Sequence, residues 1–169
     1  MLHEKIASLM NTQINKEMFS AYLYLDFANF FESKGLSGFA SWYKIQAKEE
    51  MDHAMLFYQY LQNNNAKVKL EAIGAPDIKL VEFMDPLEEG LRHEEYVTSR
   101  INAVMDVAEE TKDRAAMIFL NWYLKEQVEE ESSVGKVLAT LKLIGDDKNA
   151  LLLFDKDLAT RTFTAPVIG

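Results

Sequence analysis

Four stretches of the chain repeat apolar residues at steps of three and four, the spacing that lays one face of an α-helix against a core. The first runs from about Ile6 to Ser33, with Ile6, Met10, Ile14, Glu17, Ala21, Tyr24, Ala28 and Phe31 in phase. Gly35 then supplies a C-terminal stop. The second runs from about Gly38 to Asn64, with Trp42, Ile45, Glu49, His53, Leu56 and Tyr60 in phase, and Asn63-Asn64-Asn65 ends it. The third starts at Asp85-Pro86-Leu87-Glu88, where Asp is expected as N-cap, Pro at the first helical position and Glu at the third. Its stripe is Leu87, Leu91, Glu94, Thr98, Ile101, Met105 and Ala108. The fourth runs from about Asp113 to Leu143, with Leu120, Tyr123, Gln127, Glu130, Val134, Leu138 and Leu141 in phase, and Gly145 stops it. A short fifth helix, about Asp147–Ala159, carries Leu151-Leu152-Leu153, and the tail Thr162–Gly169 reads as extended.

Residues 66–84 carry no helical stripe and contain Gly74 and Pro76. This connection is long against the usual span of about 4–6 residues, and it suffices to run the length of a helix bundle. Four long helices and one long connection predict an all-α four-helix bundle, with a crossover between the second and third helices and a short fifth helix. No boundary for a second domain is visible, so residues 1–169 are expected to form one domain.

Composition narrows the functional classes. The chain has no Cys, which excludes disulfides, thiolate metal sites and cysteine nucleophiles. Seven glycines and three prolines in 169 residues favour long helices over a turn-rich β fold. The N-terminal stretch lacks the apolar run of a signal peptide, and nothing approaches a membrane span, so a cytoplasmic protein is expected. A formal net charge of −9 argues against nucleic-acid partners and favours a cationic one.

The stripes themselves hold the chemistry. Each carries a polar, metal-ligating residue type near its middle: Glu17; Glu50 with His53; Glu94; Gln127 with Glu130. Spacing of i, i+3 puts Glu50 and His53 on one helix face, and likewise Gln127 and Glu130. Glu17 to Glu50 is 33 residues, and so is Glu94 to Gln127; adding 77 to Glu17, Glu49, Glu50 and His53 gives Glu94, Glu126, Gln127 and Glu130. The two helical hairpins are therefore approximate repeats. At about 1.5 Å per residue, all these positions lie roughly 20–27 Å from their hairpin's turn, so they converge at one level of the bundle. A lone Glu in an apolar stripe commonly sits at the stripe's edge with its head in water. Four helices showing it in matched pairs is a different matter, because unpaired buried carboxylates cost several kcal/mol and repel one another. A pair of divalent cations removes both penalties. Carboxylates plus one nitrogen ligand, without sulfur, suit iron or manganese better than copper.

Glu17 with Tyr24, "EEMDH" at 49–53, "HEE" at 93–95 and "WYLKEQVEEE" at 122–131 resemble the ferritin family, specifically the bacterial and archaeal non-haem ferritins. The resemblance covers essentially the whole chain, and the di-iron carboxylate bundle is a known general motif. It implies a first iron site of Glu17, Glu50 and His53, and a second of Glu94 and Glu130, with Glu50 bridging and Gln127 as a polar neighbour. Glu49, Glu126 and Glu129, with Glu130 shared, match a third iron position of prokaryotic ferritins; the alternative is a solvated acidic face. Tyr24, two turns from Glu17, would be a hydrogen-bond partner and one-electron donor, or an ordinary core tyrosine. Trp122, near the same level, suits packing. The second box reads Gln127-x-x-Glu130 where bacterioferritins carry Glu-x-x-His, which implies a weaker second position from which iron moves on. Met51 stands where bacterioferritins place a haem-ligating Met, but the second box points to the non-haem group, so no haem is expected.

The implied activity is ferroxidation. Fe(II) is oxidised to Fe(III) by O2 or H2O2, and ferric oxide deposits inside a hollow homo-oligomer of twenty-four copies. Animal ferritins line a three-fold channel with acids near the start of the fourth helix; Ala115–Leu120 here is apolar. Leu151-Leu152-Leu153 suits either a four-fold contact or packing on the body. The rival readings are a non-storage di-iron oxidase or peroxidase, a bacterioferritin-like haem-binding cage, and a helical interaction module with merely superficial acids.

Overall fold

The structure, a computed structural model, describes residues 2–167; the last two residues of the predicted extended tail, Ile168 and Gly169, lie outside the described residues. Five helices form in the expected order: α1 (Glu4–Ser33), α2 (Ser37–Asn63), α3 (Asp85–Glu110), α4 (Arg114–Ile144) and α5 (Lys148–Leu158). Every residue of the predicted first and fourth stripes is buried. The second stripe is rotated by about one residue. Gln46, Glu50, Ala54, Phe57 and Leu61 face inward with Trp42 and His53, whereas Ile45, Glu49, Leu56 and Tyr60 are only half-buried. The shift moves Glu50 fully into the core and leaves Glu49 at its margin.

Three helix ends share one device. After α1, the N–H of Leu36 donates to the Phe31 carbonyl (3.0 Å) and that of Gly35 to Glu32 (3.1 Å), around a left-handed Gly35 with φ of 78°. This double bond satisfies carbonyls that the helix itself leaves free. The same pattern closes α2 at Asn65 and α3 at Lys112, with φ of 56° and 55°. Asn visits this region readily and Lys rarely, so the α3–α4 turn carries no glycine signal.

The start of α3 differs from the expected capping box. Met84 is the N-cap, and its carbonyl accepts from the N–H groups of Leu87 (3.0 Å) and Glu88 (2.9 Å). That leaves the Asp85 carboxylate free to turn back, where it accepts from the N–H groups of Val81 (2.6 Å) and Glu82 (2.8 Å). It thereby closes the end of the crossover rather than the start of the helix. The crossover is held along α1 by two asparagines one turn apart. Asn11 donates to the Lys67 carbonyl (3.0 Å) and accepts from the Lys69 N–H (2.6 Å), and Asn15 donates to the Ala72 carbonyl (3.1 Å).

The core consists of two apolar blocks. One gathers Leu23, Phe27, Phe31, Phe39, Tyr43 and Leu141 with their neighbours. The other gathers Ile6, Met10, Phe57, Ile101, Leu120 and Tyr123 with theirs. Between them lies a layer of buried polar side chains. The helix α5 docks across the start of α2, whose N-cap Leu36 offers no side-chain bond. Buried Asp155 of α5 accepts instead from the Phe39 N–H (2.9 Å). Leu151 packs on the first apolar block, while Leu152 and Leu153 stay exposed.

The docking depends on Gly38, where an added Cβ would stand 1.6 Å from the Asp155 carbonyl oxygen. Gly38→Ala should therefore destabilise the fold by about 1–3 kcal/mol through overpacking, measured by chemical denaturation. At Gly135 nothing lies within 4 Å of an added Cβ, so Gly135→Ala should gain up to about 1 kcal/mol from helix propensity. Equal effects of the two changes would contradict the close α2–α5 contact.

Candidate metal centre

The polar layer is built from the midpoints of all four long helices. Glu17 comes from α1, Glu50 and His53 from α2, Glu94 from α3, and Gln127 and Glu130 from α4; all six are buried. Their donor atoms converge as the matched spacing predicts. Three groups each bring three ligand atoms within 4.8 Å of one another: Glu17, Glu50 and His53; Glu50, Glu94 and Glu130; and His53, Glu126 and Glu130. Glu50 belongs to the first two groups and so stands between two cation-sized positions. His53 Nδ1 is 3.7 Å from Glu50 Oε2, and its Nε2 is 3.9 Å from Glu126 Oε1.

A frame of amides and phenols holds these groups in place. Tyr24 Oη donates to Glu94 Oε1. Gln127 Nε2 donates to Glu94 Oε2 (3.0 Å) and to the Glu94 carbonyl (3.2 Å), so its amide nitrogen supports a ligand. Gln13 donates to Glu17 Oε1 (2.9 Å), Gln46 donates to Glu130, and Tyr123 Oη donates to the His53 carbonyl (2.7 Å). Trp122 lies edge-on to His53, with ring centres 5.6 Å apart, in a packing position. His93 is edge-on to Tyr24 and shares a 2.7 Å hydrogen bond with Ser20 Oγ. Burial, with the charge of Lys16, brings the His93 pKa down to about 4, so the ring is neutral at pH 7.

Gln13 and Gln46 were not singled out by the sequence reading. Both carried a signal: Gln13 is four residues before Glu17, and Gln46 is four before Glu50 and seven before His53. Phasing the second stripe through Ile45 and Glu49 hid Gln46. Of the acids assigned to a third position, Glu126 joins His53 and Glu130 at the margin of the layer. Glu49 and Glu129 belong to none of the three-donor groups among the described residues. Glu49 is instead paired with Arg161 at 2.6 Å, and Glu129 is exposed. Met51 is exposed on the outer side of α2.

The electrostatics of the layer favour a cation. Burial is the largest influence on all four central carboxyls, and it raises each one. Glu17 rises despite the nearby His53 and Gln13. Glu50 is held well above the ordinary carboxylate value, because the charges of Glu94, Glu17 and Glu130 add to its burial. Glu94 is raised to about 7 and Glu130 to about 8. Burial and the charges of Glu94 and Glu50 also push Tyr24 well above its ordinary value, so it stays a proton donor. Glu17 Oε2 and Glu50 Oε1 are buried without a hydrogen-bond partner among the described residues. Oxygens so placed are costly unless a cation accepts them. Hard oxygen donors with one imidazole and no sulfur fit iron or manganese.

Comparison with known proteins agrees with this geometry. A family profile described as the ferritin-like domain matches residues 7–144. The chain is 37% identical over 163 residues to a bacterial non-heme ferritin of Staphylococcus aureus, covering 96% of this chain and 98% of that one. It is 38% identical, with the same coverage, to one from Staphylococcus saprophyticus. Among solved structures it resembles an open pore ferritin from the hyperthermophilic archaeon Archaeoglobus fulgidus, with a TM-score of 0.93 and 41% identity over 96% of this chain and 100% of that one. A humanized archaeal ferritin superposes with a TM-score of 0.95 and 41% identity over 97% and 99%.

The raised carboxyls make a prediction about pH. Glu94 at about 7 and Glu130 at about 8 lie above the ordinary value of 4.5 that the unfolded chain would show. The folded protein therefore binds more protons within that window. This contribution to stability is complete below the unfolded value and is lost as pH rises through the two folded values. Without metal, the thermal midpoint should fall across that range, and Glu130→Gln should flatten its upper part. Saturating Zn(II) should reverse the fall above neutrality, since metal binds the deprotonated ligands. A metal-free midpoint that climbs with pH would contradict the assignment.

Proposed function

Because the chain belongs to the ferritin family, we propose that it is a non-haem iron-storage protein that oxidises Fe(II) at the buried four-helix layer. The observation that carries this reading is Glu50, shared by two buried groups of three ligands. Fe(II) is the substrate. One ion takes Glu17, Glu50 and His53, and the second takes Glu94, Glu130 and the far side of Glu50. Binding displaces the protons that the raised carboxyls hold. Two Fe(II) then surrender two electrons, which with two protons reduce O2 to H2O2, or H2O2 to two waters. The protein contributes orientation and charge compensation, and the metal carries the electrons. Tyr24 steadies Glu94 through its hydroxyl, and its buried ring is placed to supply a single electron. Gln127 fixes Glu94 from the other side. With Glu130 where a histidine would bind more firmly, the second position releases its product, and Fe(III) moves on as hydrated oxide.

A third, outer iron position extends from Glu126 toward Glu49 and Glu129. Residues 1–169 form one unit of a hollow homo-oligomer, for which we take twenty-four copies. Exposed Tyr22 and Leu25, three residues apart on α1, and Met51 and Met55, four apart on α2, offer apolar surface for contact with a second copy. The net charge of −9 draws Fe(II) toward the assembly. The protein works in the cytoplasm, without haem, nucleic acid or membrane; among the described residues no helix is long and apolar enough to cross a bilayer.

The test is to add excess Fe(II) to the purified protein in air, remove loose metal and count the iron retained per chain. Storage predicts many tens of ions per chain. A count of about two or three, the complement of a di-iron bundle with its outer position, would mean an oxidase without storage. Glu50→Ala and His53→Ala should each slow Fe(II) oxidation by more than about a hundredfold, beyond what loss of an outer-shell partner typically causes, while the assembly keeps its size. Fast oxidation in both variants would overturn the site.

A further inference from the structure

Arg161 lies just past α5 and reaches back over α2. Its Nη2 donates to Glu49 Oε2 (2.6 Å), and its Nη1 donates to Gln46 Oε1 (2.8 Å) and to the Trp42 carbonyl (3.4 Å). The guanidinium carbon stands 4.7 Å from the centre of the Trp42 ring. Two residues on, Phe163 lies against Lys48, whose Nζ is 3.8 Å from the ring centre. The tail is thus clasped to α2 at two points. Gln46 carries the contact inward, because its amide nitrogen donates to Glu130.

The arginine side chain is a permanent cation in a half-buried place. Its side chain is 24% exposed and that of Glu49 is 16% exposed. The charges of Glu126 and Glu129 act on Glu49 against those of Arg161 and His53, and Arg161 is the cation hydrogen-bonded to it. A guanidinium does not deprotonate. It leaves Glu49 Oε2 engaged, and a divalent ion on that oxygen would meet a fixed positive charge at hydrogen-bond distance.

We propose that Arg161 is a built-in competitor for the outer iron position, holding Glu49 until a third cation displaces its guanidinium and with it the 160–163 segment. This rests on the outer position proposed above. The ion of Glu17, Glu50 and His53 loads without disturbing the tail, since it touches neither Glu49 nor Glu130. The outer ion loads only when Arg161 leaves. Its departure also frees the Gln46 carbonyl, loosening the amide that steadies Glu130. Filling of the outer position is thereby coupled to the ligand that the second inner position must release.

The test uses the assembled protein and Zn(II), which binds without redox chemistry, in calorimetric titrations. Arg161→Gln should tighten the third and weakest class of sites about fivefold, the scale of a partly exposed ion pair. The class held by Glu17, Glu50 and His53 should change by less than about twofold, since it involves neither Glu49 nor Glu130. Arg161→Lys, which keeps the charge but loses the fork, should fall between. Glu49→Gln should abolish the third class. A second readout is Trp42, the remaining tryptophan in a Trp122→Phe background. Its fluorescence should change as the third ion binds, and the change should be absent in Arg161→Gln. A third class lost in Glu49→Gln but unaffected or weakened by Arg161→Gln would overturn the proposal alone. A third class that survives Glu49→Gln would overturn the outer position and the proposal together.

Discussion

Four carboxylates buried at one level of a helix bundle repel one another, and that repulsion is the constraint around which the molecule is arranged. Glu17, Glu50, Glu94 and Glu130 are each almost wholly removed from water. Burial of this kind costs several kcal/mol for an ion without a partner. The chain meets the cost partly by protonation, which the raised carboxyls express, and partly by donors aimed at single oxygens. Two oxygens, Glu17 Oε2 and Glu50 Oε1, are buried with no donor aimed at them among the described residues. The arrangement is therefore unfinished as a polar core and complete as a cation-binding one.

The rest of the fold supplies the stiffness this layer needs. Apolar blocks above and below it supply the burial that offsets the polar penalty. Because the ligands sit on helices rather than loops, their positions follow from helix packing. The Schellman-type closures at Gly35 and Lys112 keep the two hairpins tight, the one at Asn65 turns the chain into the crossover, and α5 ties the beginning of α2 down through Asp155. The crossover runs along α1 on the Asn11 and Asn15 amides, joining two halves that could otherwise be similar hairpins. Repetition is visible in the chemistry as well. Each half gives one Glu from its first helix and a pair three residues apart from its second. The halves differ at both members of that pair, Glu50 against Gln127 and His53 against Glu130.

Much of this was legible in the residues. Stripes on α1 and α4 were readable in full, because apolar spacing and burial coincide along helices packed on one broad face. The α2 stripe was misphased, because Ile45, Leu56 and Tyr60 form a second apolar line at the shoulder of the helix, and hydrophobicity cannot distinguish a shoulder from a centre. The six central ligand-type residues were found through matched spacing. The amides behind them were not, since a glutamine in a stripe carries no charge to mark it. The role of Asp85 was misread because a capping motif describes local sequence, and the crossover's free N–H groups competed for the same carboxylate. Arg161 was invisible: more than a hundred residues separate it from Glu49, and no periodicity links a tail to a helix.

The geometry of the layer names particular oxygens, which lets the account be tested by position as well as by activity. Crystals of the protein loaded anaerobically with Fe(II), measured across the iron absorption edge, would locate each ion directly. The account predicts two anomalous peaks inside every bundle, one within reach of Glu17, Glu50 and His53, the other of Glu50, Glu94 and Glu130. Iron confined to the surface, or an empty layer beside bound iron elsewhere, would contradict it.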